Sequence, residues 1–258
     1  MSGAELSELE RRQGQERQRT LERKEELLAN LRKDWIDCQR CELCQTRTNV
    51  VFGTGNPDAD VLIVGEAPGK EEDETGEPFV GDSGDVLNDL IQAVGWDREQ
   101  DLYITNTAAC RPTQEVRGED GKNRIENRPP SKPEREACRR RLLETIYIVD
   151  PLLIIAVGKV PAAALLGKIS TVDNMHGKLY AATIEGRHVP IRYTVMPVYH
   201  TAFLLRTFDR REDGAWGKSA RDFVLACKIV DHLRSAYYGI EVDREEIIHG
   251  KATEQESG

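Results

Sequence analysis

Apolar residues fall in short runs separated by polar, glycine- or proline-bearing segments. Four of these runs read as buried strands: Val61–Val64, Leu102–Thr105, Leu152–Val157 and Tyr193–Val198. Each is strand-sized and continuous rather than alternating, as expected for strands covered on both faces. Between them the spacing turns helical. Leu87, Leu90, Ile91 and Val94 lie on one face of a helix over Asp85–Val94. Ser131-Lys-Pro-Glu134 has capping-box spacing and an early proline, starting a helix that Asp150-Pro151 ends. A short helix over Val160–Leu166 and a last one over Ser219–Tyr237 complete the set, with a hairpin across 177–193 turning near Glu185-Gly186. The alternation predicts an α/β fold: a three-layer α/β/α sandwich with a mainly parallel four-stranded central sheet. Residues 1–34, with interleaved acids and bases, read as a charged helical N-terminal extension, favoured as a mobile arm and alternatively a protein-binding helix. Residues 35–238 form the domain, and 239–258 a polar tail. The polar stretch Arg111–Lys132, with Pro129-Pro130, reads as a long surface loop.

In such folds ligands bind beyond the carboxyl ends of the parallel strands. The segments leaving those ends are Gly65-Glu-Ala-Pro-Gly69, Asn106 and His200, so three distant pieces of chain are expected to meet on one edge.

Composition narrows the possibilities. The 258 residues are 39% hydrophobic, enough for a core, and their 36 Lys and Arg against 45 Asp and Glu give a net charge of −9. A uniformly basic nucleic-acid binder is excluded, because counterion release requires cations facing phosphate. The deficit is local: Asp58–Asp101 holds 14 acids and two bases, whereas Cys110–Arg141 holds 10 bases and six acids. No run approaches the roughly 18 apolar residues of a spanning helix, and the first residues lack a signal-peptide pattern. A soluble, cytoplasmic monomer is expected. In a reducing compartment, Cys38-x-x-Cys41-x-x-Cys44 favours metal over disulfide; spacing alone leaves zinc and [4Fe–4S] open and does not choose among the six cysteines.

Gly65-Glu-Ala-Pro-Gly-Lys70 is not a P-loop: the spacing is one residue short, Glu71 stands where a hydroxyl is needed, and further acids follow. The longer stretch Val64–Gly84, which contains Glu-Ala-Pro-Gly-Lys and Gly-Glu-Pro-Phe-Val-Gly, resembles the first motif of the family 4 uracil-DNA glycosylases. So do Arg47–Pro57, Asn106–Pro112 (Asn-Thr-Ala-Ala-Cys-Arg-Pro) and His200–Arg206 (His-Thr-Ala-Phe-Leu-Leu-Arg), in the same order over about residues 36–236.

The resemblance implies a monofunctional glycosylase that releases uracil from DNA and leaves an abasic site, with uracil-containing DNA as partner. It implies a [4Fe–4S] cluster on Cys38, Cys41, Cys110 and Cys138, with Cys44 spare. It makes Asn106 the reader of the uracil edge, Phe79 the ring stacked on the base, and Gly65, Glu66 and Ala67 the pocket lining. His200 becomes the donor to uracil O2; for the attacking water, which the resemblance does not assign, Glu66 and Glu71 are the nearest carboxylate candidates. Read singly, each has a plainer alternative: a strand-end Asn in a turn, a core Phe, a structural His, a solvated acidic face over Glu71, Glu72 and Asp73, a core thiol for Cys227. Two departures stand out. The family has His-Pro where this chain has His200-Thr201, which loosens the expected restraint on His200, and the Arg111–Lys132 segment is longer than usual. Leu204, Leu205 and Arg206 are candidates to wedge DNA after base flipping. The competing readings are a catalytically silent iron–sulfur nucleic-acid-binding module and a glycosylase for another deaminated base.

Overall fold

The structure is a computed structural model that describes residues 3–167, 169–185, 190–207, 209 and 211–238. Helix α1 (Gly3–Trp35) leads to β1 (Thr54–Gly55) and β2 (Val61–Gly65), then α2 (Lys70–Thr75) and α3 (Asp82–Ala93). After β3 (Leu102–Asn106) come β4 (Thr113–Arg117), β5 (Asn123–Asn127), α4 (Lys132–Val149), β6 (Leu153–Val157), α5 (Lys159–Leu166) and α6 (Val172–Met175). The chain continues through β7 (Tyr180–Glu185), β8 (Pro190–Val198), α7 (Thr201–Thr207) and α8 (Ala215–Tyr238).

The central sheet has six strands rather than four, in the order β1-β3-β2-β6-β8-β7. The four expected strands are its parallel centre. The two additions are antiparallel edges, β1 against β3 and β7 against β8. Sequence reading treated the 177–193 hairpin as separate from the last strand. In fact β8 is one nine-residue strand, so the strand that turns back into it must join the same sheet. Gly186, expected in the turn, lies outside the described residues, as does the 239–258 tail. The Arg111–Lys132 segment is likewise not a plain loop: β4 and β5 form an exposed two-stranded ribbon closed by Gly118 and Gly121.

Side-chain alternation divides the core. Val61 and Ile63 face the layer of α3 and α8 with Leu87, Leu90, Phe223 and Val230, while Leu62 and Val64 face Leu142, Ile146 and Phe52. The second layer includes the end of α1. Leu28, Leu31 and Trp35 are buried there, and Lys24 Nζ donates to Asp58 (2.6 Å) and to the Val149 carbonyl ending α4 (2.9 Å). Cations at a helix C-terminus are favourable, so this contact fixes α1 along α4. The last turns of α1 are therefore part of the domain rather than a free arm.

The capping box at Ser131 forms as predicted, with Glu134 Oε2 accepting the Ser131 N–H and Asp150 ending α4 in the left-handed region. Among the described residues no helix is long and apolar enough to cross a membrane. Removing the Trp35 side chain (Trp35→Ala) should cost about 3–5 kcal/mol in urea unfolding. A loss near zero would show that α1 does not belong to the folding unit.

Candidate active site

The site grows from the register of β2 on β3, which sets Gly65 beside Asn106 at the ends of both strands. The pairing continues beyond them: the Thr107 N–H donates to the Gly65 carbonyl (2.8 Å) and the Ala108 N–H to that of Glu66 (3.1 Å). A Cβ at residue 65 would stand 2.2 Å from Asn106 Oδ1 and 2.6 Å from the Phe79 ring. Glycine is required there because an amide and an aromatic ring occupy the space over its α-carbon. The Asn106 amide makes no hydrogen bond to the protein among the described residues.

Phe79 is buried with φ of 53°, left-handed backbone that costs a non-glycine residue about 1–3 kcal/mol. The surroundings that hold it come from the acidic segment. Glu72 is buried, and its carboxylate accepts the N–H groups of Gly69 (2.9 Å), Val80 (3.0 Å) and Gly81 (3.0 Å). Asp73, also buried, accepts from Thr48 and Asn49. These two acids are internal hooks, not the solvated face that their sequence context suggested. Gly84 completes the turn, since a Cβ there would meet the Phe79 carbonyl oxygen at 2.1 Å.

His200 follows β8 and opens α7. Its Nδ1 accepts the Ala202 N–H (3.1 Å), so the imidazole caps the helix and Nε2 carries the ring proton. Burial, with Arg206 adding to it, pushes the His200 pKa down to about 4. The ring is neutral at physiological pH. Thr201, where the family pattern has proline, is buried at the first position of α7, and its Oγ1 has no hydrogen-bond partner. The ring cap, rather than a proline, fixes the turn. Tyr199 stacks on Phe203 (5.6 Å between ring centroids) and its hydroxyl donates to Asp173 (2.7 Å).

Glu66, Ala67, Phe79, Asn106 and His200 line one cleft of about 660 Å³, within the usual size for a small-molecule site. Burial raises the Glu66 carboxyl above the ordinary carboxylate range, against the opposing pull of Arg135. Glu71 is not brought to the cleft; it is exposed, with its carboxylate beside Gly81. Leu204 is core rather than a surface wedge, whereas Phe203 and Arg206 reach the cleft. Sequence reading missed Lys159, which adds positive charge to the cleft lining, and Arg128, which lines it while paired with Glu134. Lys159 follows Gly158 at the end of β6, so the rule that selected the other strand ends applied to it as well.

The thiols of Cys38, Cys41, Cys110 and Cys138 are gathered from three segments. Cys41 senses charge on Cys138 and Cys38, and Cys110 senses Cys138 and Cys41. Burial pushes the Cys110 thiol up to about 11, opposed by Arg47, which donates to its Sγ (3.5 Å) and to the Cys38 carbonyl (2.7 Å). Among the described residues no three His, Cys, Asp or Glu side chains are gathered into a site for a single metal ion.

Fold and site together define an α/β enzyme domain whose ligand crevice opens at the carboxyl ends of its parallel strands. The model of the uracil DNA glycosylase superfamily matches residues 52–224. A type-4 uracil-DNA glycosylase of Archaeoglobus fulgidus is 33% identical over 192 residues, 73% of this chain and 88% of that one. Those of Thermotoga maritima and Pyrobaculum aerophilum are 36% and 37% identical, over 71% and 66% of this chain and 85% and 80% of theirs. The chain belongs to the uracil-DNA glycosylase superfamily, among relatives of type 4.

A neutral His200 has a consequence for acid stability. The unfolded imidazole takes up a proton near pH 6.5, while the folded one resists until about 4, so this residue's contribution is complete above about 6.5 and is lost as pH falls toward 4. Following the His200 ring by NMR should give a midpoint near 4; titration near 6.5 would contradict the half-buried, capping geometry.

Proposed function

We propose that this protein excises uracil from DNA as a monofunctional glycosylase, hydrolysing the N-glycosidic bond to leave free uracil and an abasic site. The observation that carries the assignment of roles is the convergence of the open Asn106 amide, the Phe79 ring and the neutral His200 on one cleft, the first two packed over Gly65. A base must leave the duplex stack to enter such a cleft. Asn106 Nδ2 then donates to uracil O4 while Oδ1 accepts from N3–H, and Phe79 stacks on the ring. As the glycosidic bond lengthens, negative charge gathers on the leaving base, and the Nε2–H of His200 donates to O2 where it develops. A neutral donor suits this step, because it stabilises the charge without having to transfer its proton. Glu66, lining the cleft with a raised pKa, orients the water that attacks C1′; Glu71, exposed and absent from the cleft lining, is given no part in that step. Lys159 and Arg206 supply positive charge that the net −9 of the chain conceals, placed to meet the phosphates flanking the flipped nucleotide, while Arg128 beside them is paired with Glu134.

Cys38, Cys41, Cys110 and Cys138 fit a [4Fe–4S] cluster. Cys41 lies near Cys38 and Cys138, Cys110 lies near Cys41 and Cys138, and Arg47 donates to Cys110 Sγ, which supports a shared set of soft ligands. Cys44, half-buried beside them, is outside that set. When bound, the cluster supplies a cross-link between the 38–44 segment, the end of β3 and α4, rather than electrons for the reaction.

Incubation with a uracil-containing oligonucleotide followed by alkali should break the strand at uracil. No scission at stoichiometric protein would favour a silent binding module. Gly65→Ala should fold yet lose about 100-fold or more in excision rate, the scale expected when reacting groups are displaced by about 1 Å. Near-normal turnover would show that the close packing of Asn106 and Phe79 over residue 65 does not set the rate.

A further inference from the structure

Arg141 is the most deeply buried charged residue in the described core. It is 0% exposed, and no carboxylate pairs with it among the described residues. A lone buried cation costs several kcal/mol, so it persists only where other groups answer it. Part of the answer is visible in its hydrogen bonds. Nη1 donates to the Phe52 carbonyl (3.1 Å) and to Thr105 Oγ1 (2.9 Å), and Nη2 to the carbonyls of Asn106 and Thr107 (3.5 Å to the latter). These acceptors are neutral dipoles and leave the charge itself uncompensated. Nε has no partner.

The missing negative charge has one nearby source. Arg141 lies one turn after Cys138 on α4, with both side chains buried on the same face, and Cys110 follows the strand end that the guanidinium holds. Four thiolates around an iron–sulfur cube are net anionic, whereas four thiols are neutral. The same guanidinium therefore touches the carbonyl of Asn106 on one side and neighbours the ligand set on the other.

We infer that Arg141 is a positioning residue that ties occupancy of the cysteine site to the placement of Asn106. The inference rests on the activity and cluster proposed above. With the site filled, the buried cation is balanced and its fork pins the backbone of residues 105–107, which turns the Asn106 amide toward the cleft. With the site empty, the cation is unbalanced and the end of β3 is the part that gives way.

The test compares Arg141→Met, which removes the charge at similar volume, with Arg141→Lys, which keeps it but loses the fork. Cluster-loaded proteins are mixed with a ferrous chelator, and loss of the visible iron–sulfur absorption is timed. Arg141→Met should release iron roughly 10- to 100-fold faster than the parent, the range typical of outer-shell partners, and Arg141→Lys should recover most of that loss. In excision, both should lower kcat with little change in KM, because the fork orients Asn106. Release rates equal to the parent's in both variants would overturn the inference.

Should Arg141→Met fail to fold, the parent protein decides. Amide exchange at Thr107 and Ala108 should speed up on cluster removal, while the amides within β6 stay protected. Unchanged exchange at those two amides would refute the coupling. A loaded parent that cuts no uracil would instead overturn the proposed activity, leaving iron release and exchange to judge Arg141 separately.

Discussion

The parallel pairing of β2 with β3 is the contact on which the cleft depends. Its register puts Gly65 opposite Asn106, and the ladder runs past the strand ends through the Thr107 and Ala108 amides. Because side chains in a strand alternate faces, a slip of one residue would send Asn106 to the opposite face and put Thr105 or Thr107 over Gly65. The register is protected by burial on both sides: Val61 and Ile63 belong to one core layer, Leu62 and Val64 to the other. A slip would exchange those two sets across the sheet. Site geometry is thus held by apolar packing some distance from the cleft.

The charges work differently from what their tally suggests. Glu72 and Asp73 look like members of a solvated acidic run, yet each is buried and accepts backbone N–H groups, Glu72 from the two ends of its own loop and Asp73 from Thr48 and Asn49. Their desolvation is offset by those charge-assisted hydrogen bonds. The result is a rigid turn that keeps Phe79 in left-handed backbone. Glu134 follows the same logic: the Arg128 guanidinium, bonded to it through both nitrogens, and the Ser131 N–H hold its carboxyl at about 2. Arg128 at the cleft is therefore tied to the start of the helix that carries Cys138 and Arg141.

His200 illustrates how a departure from the family pattern is absorbed. Threonine in place of proline removes a backbone restraint, but the imidazole supplies another by capping α7 through Nδ1. That bond also selects the tautomer, so helix capping and the ability to donate from Nε2 are the same fact. The buried, unpartnered hydroxyl of Thr201 is the cost of the exchange, on the order of 1–3 kcal/mol.

The linear pattern of apolar runs, caps and breakers determined the class of the fold, the four parallel strands and the strand-end segments that meet at the cleft. Those signals are local: a continuous run bounded by Asp60 and Gly65, or a capping box at Ser131, is readable within a few residues. Motif order pointed to Phe79, Asn106 and His200, and these three line one cleft. What the tertiary structure decided was everything set by contacts between distant segments. The β7 and β1 edges, the docking of Leu28, Leu31 and Trp35 on α4, and the inward turn of Glu72 and Asp73 all depend on partners outside the element itself, from within ten residues for Glu72 to more than 100 for α1. The same is true of the neutral state of His200, which follows from burial, and of Arg141, which the sequence shows only as the last of three consecutive arginines. Sequence periodicity reports which face of an element is apolar; whether a charged residue on it meets water, a backbone amide or a neighbouring thiol is settled only when the layers pack.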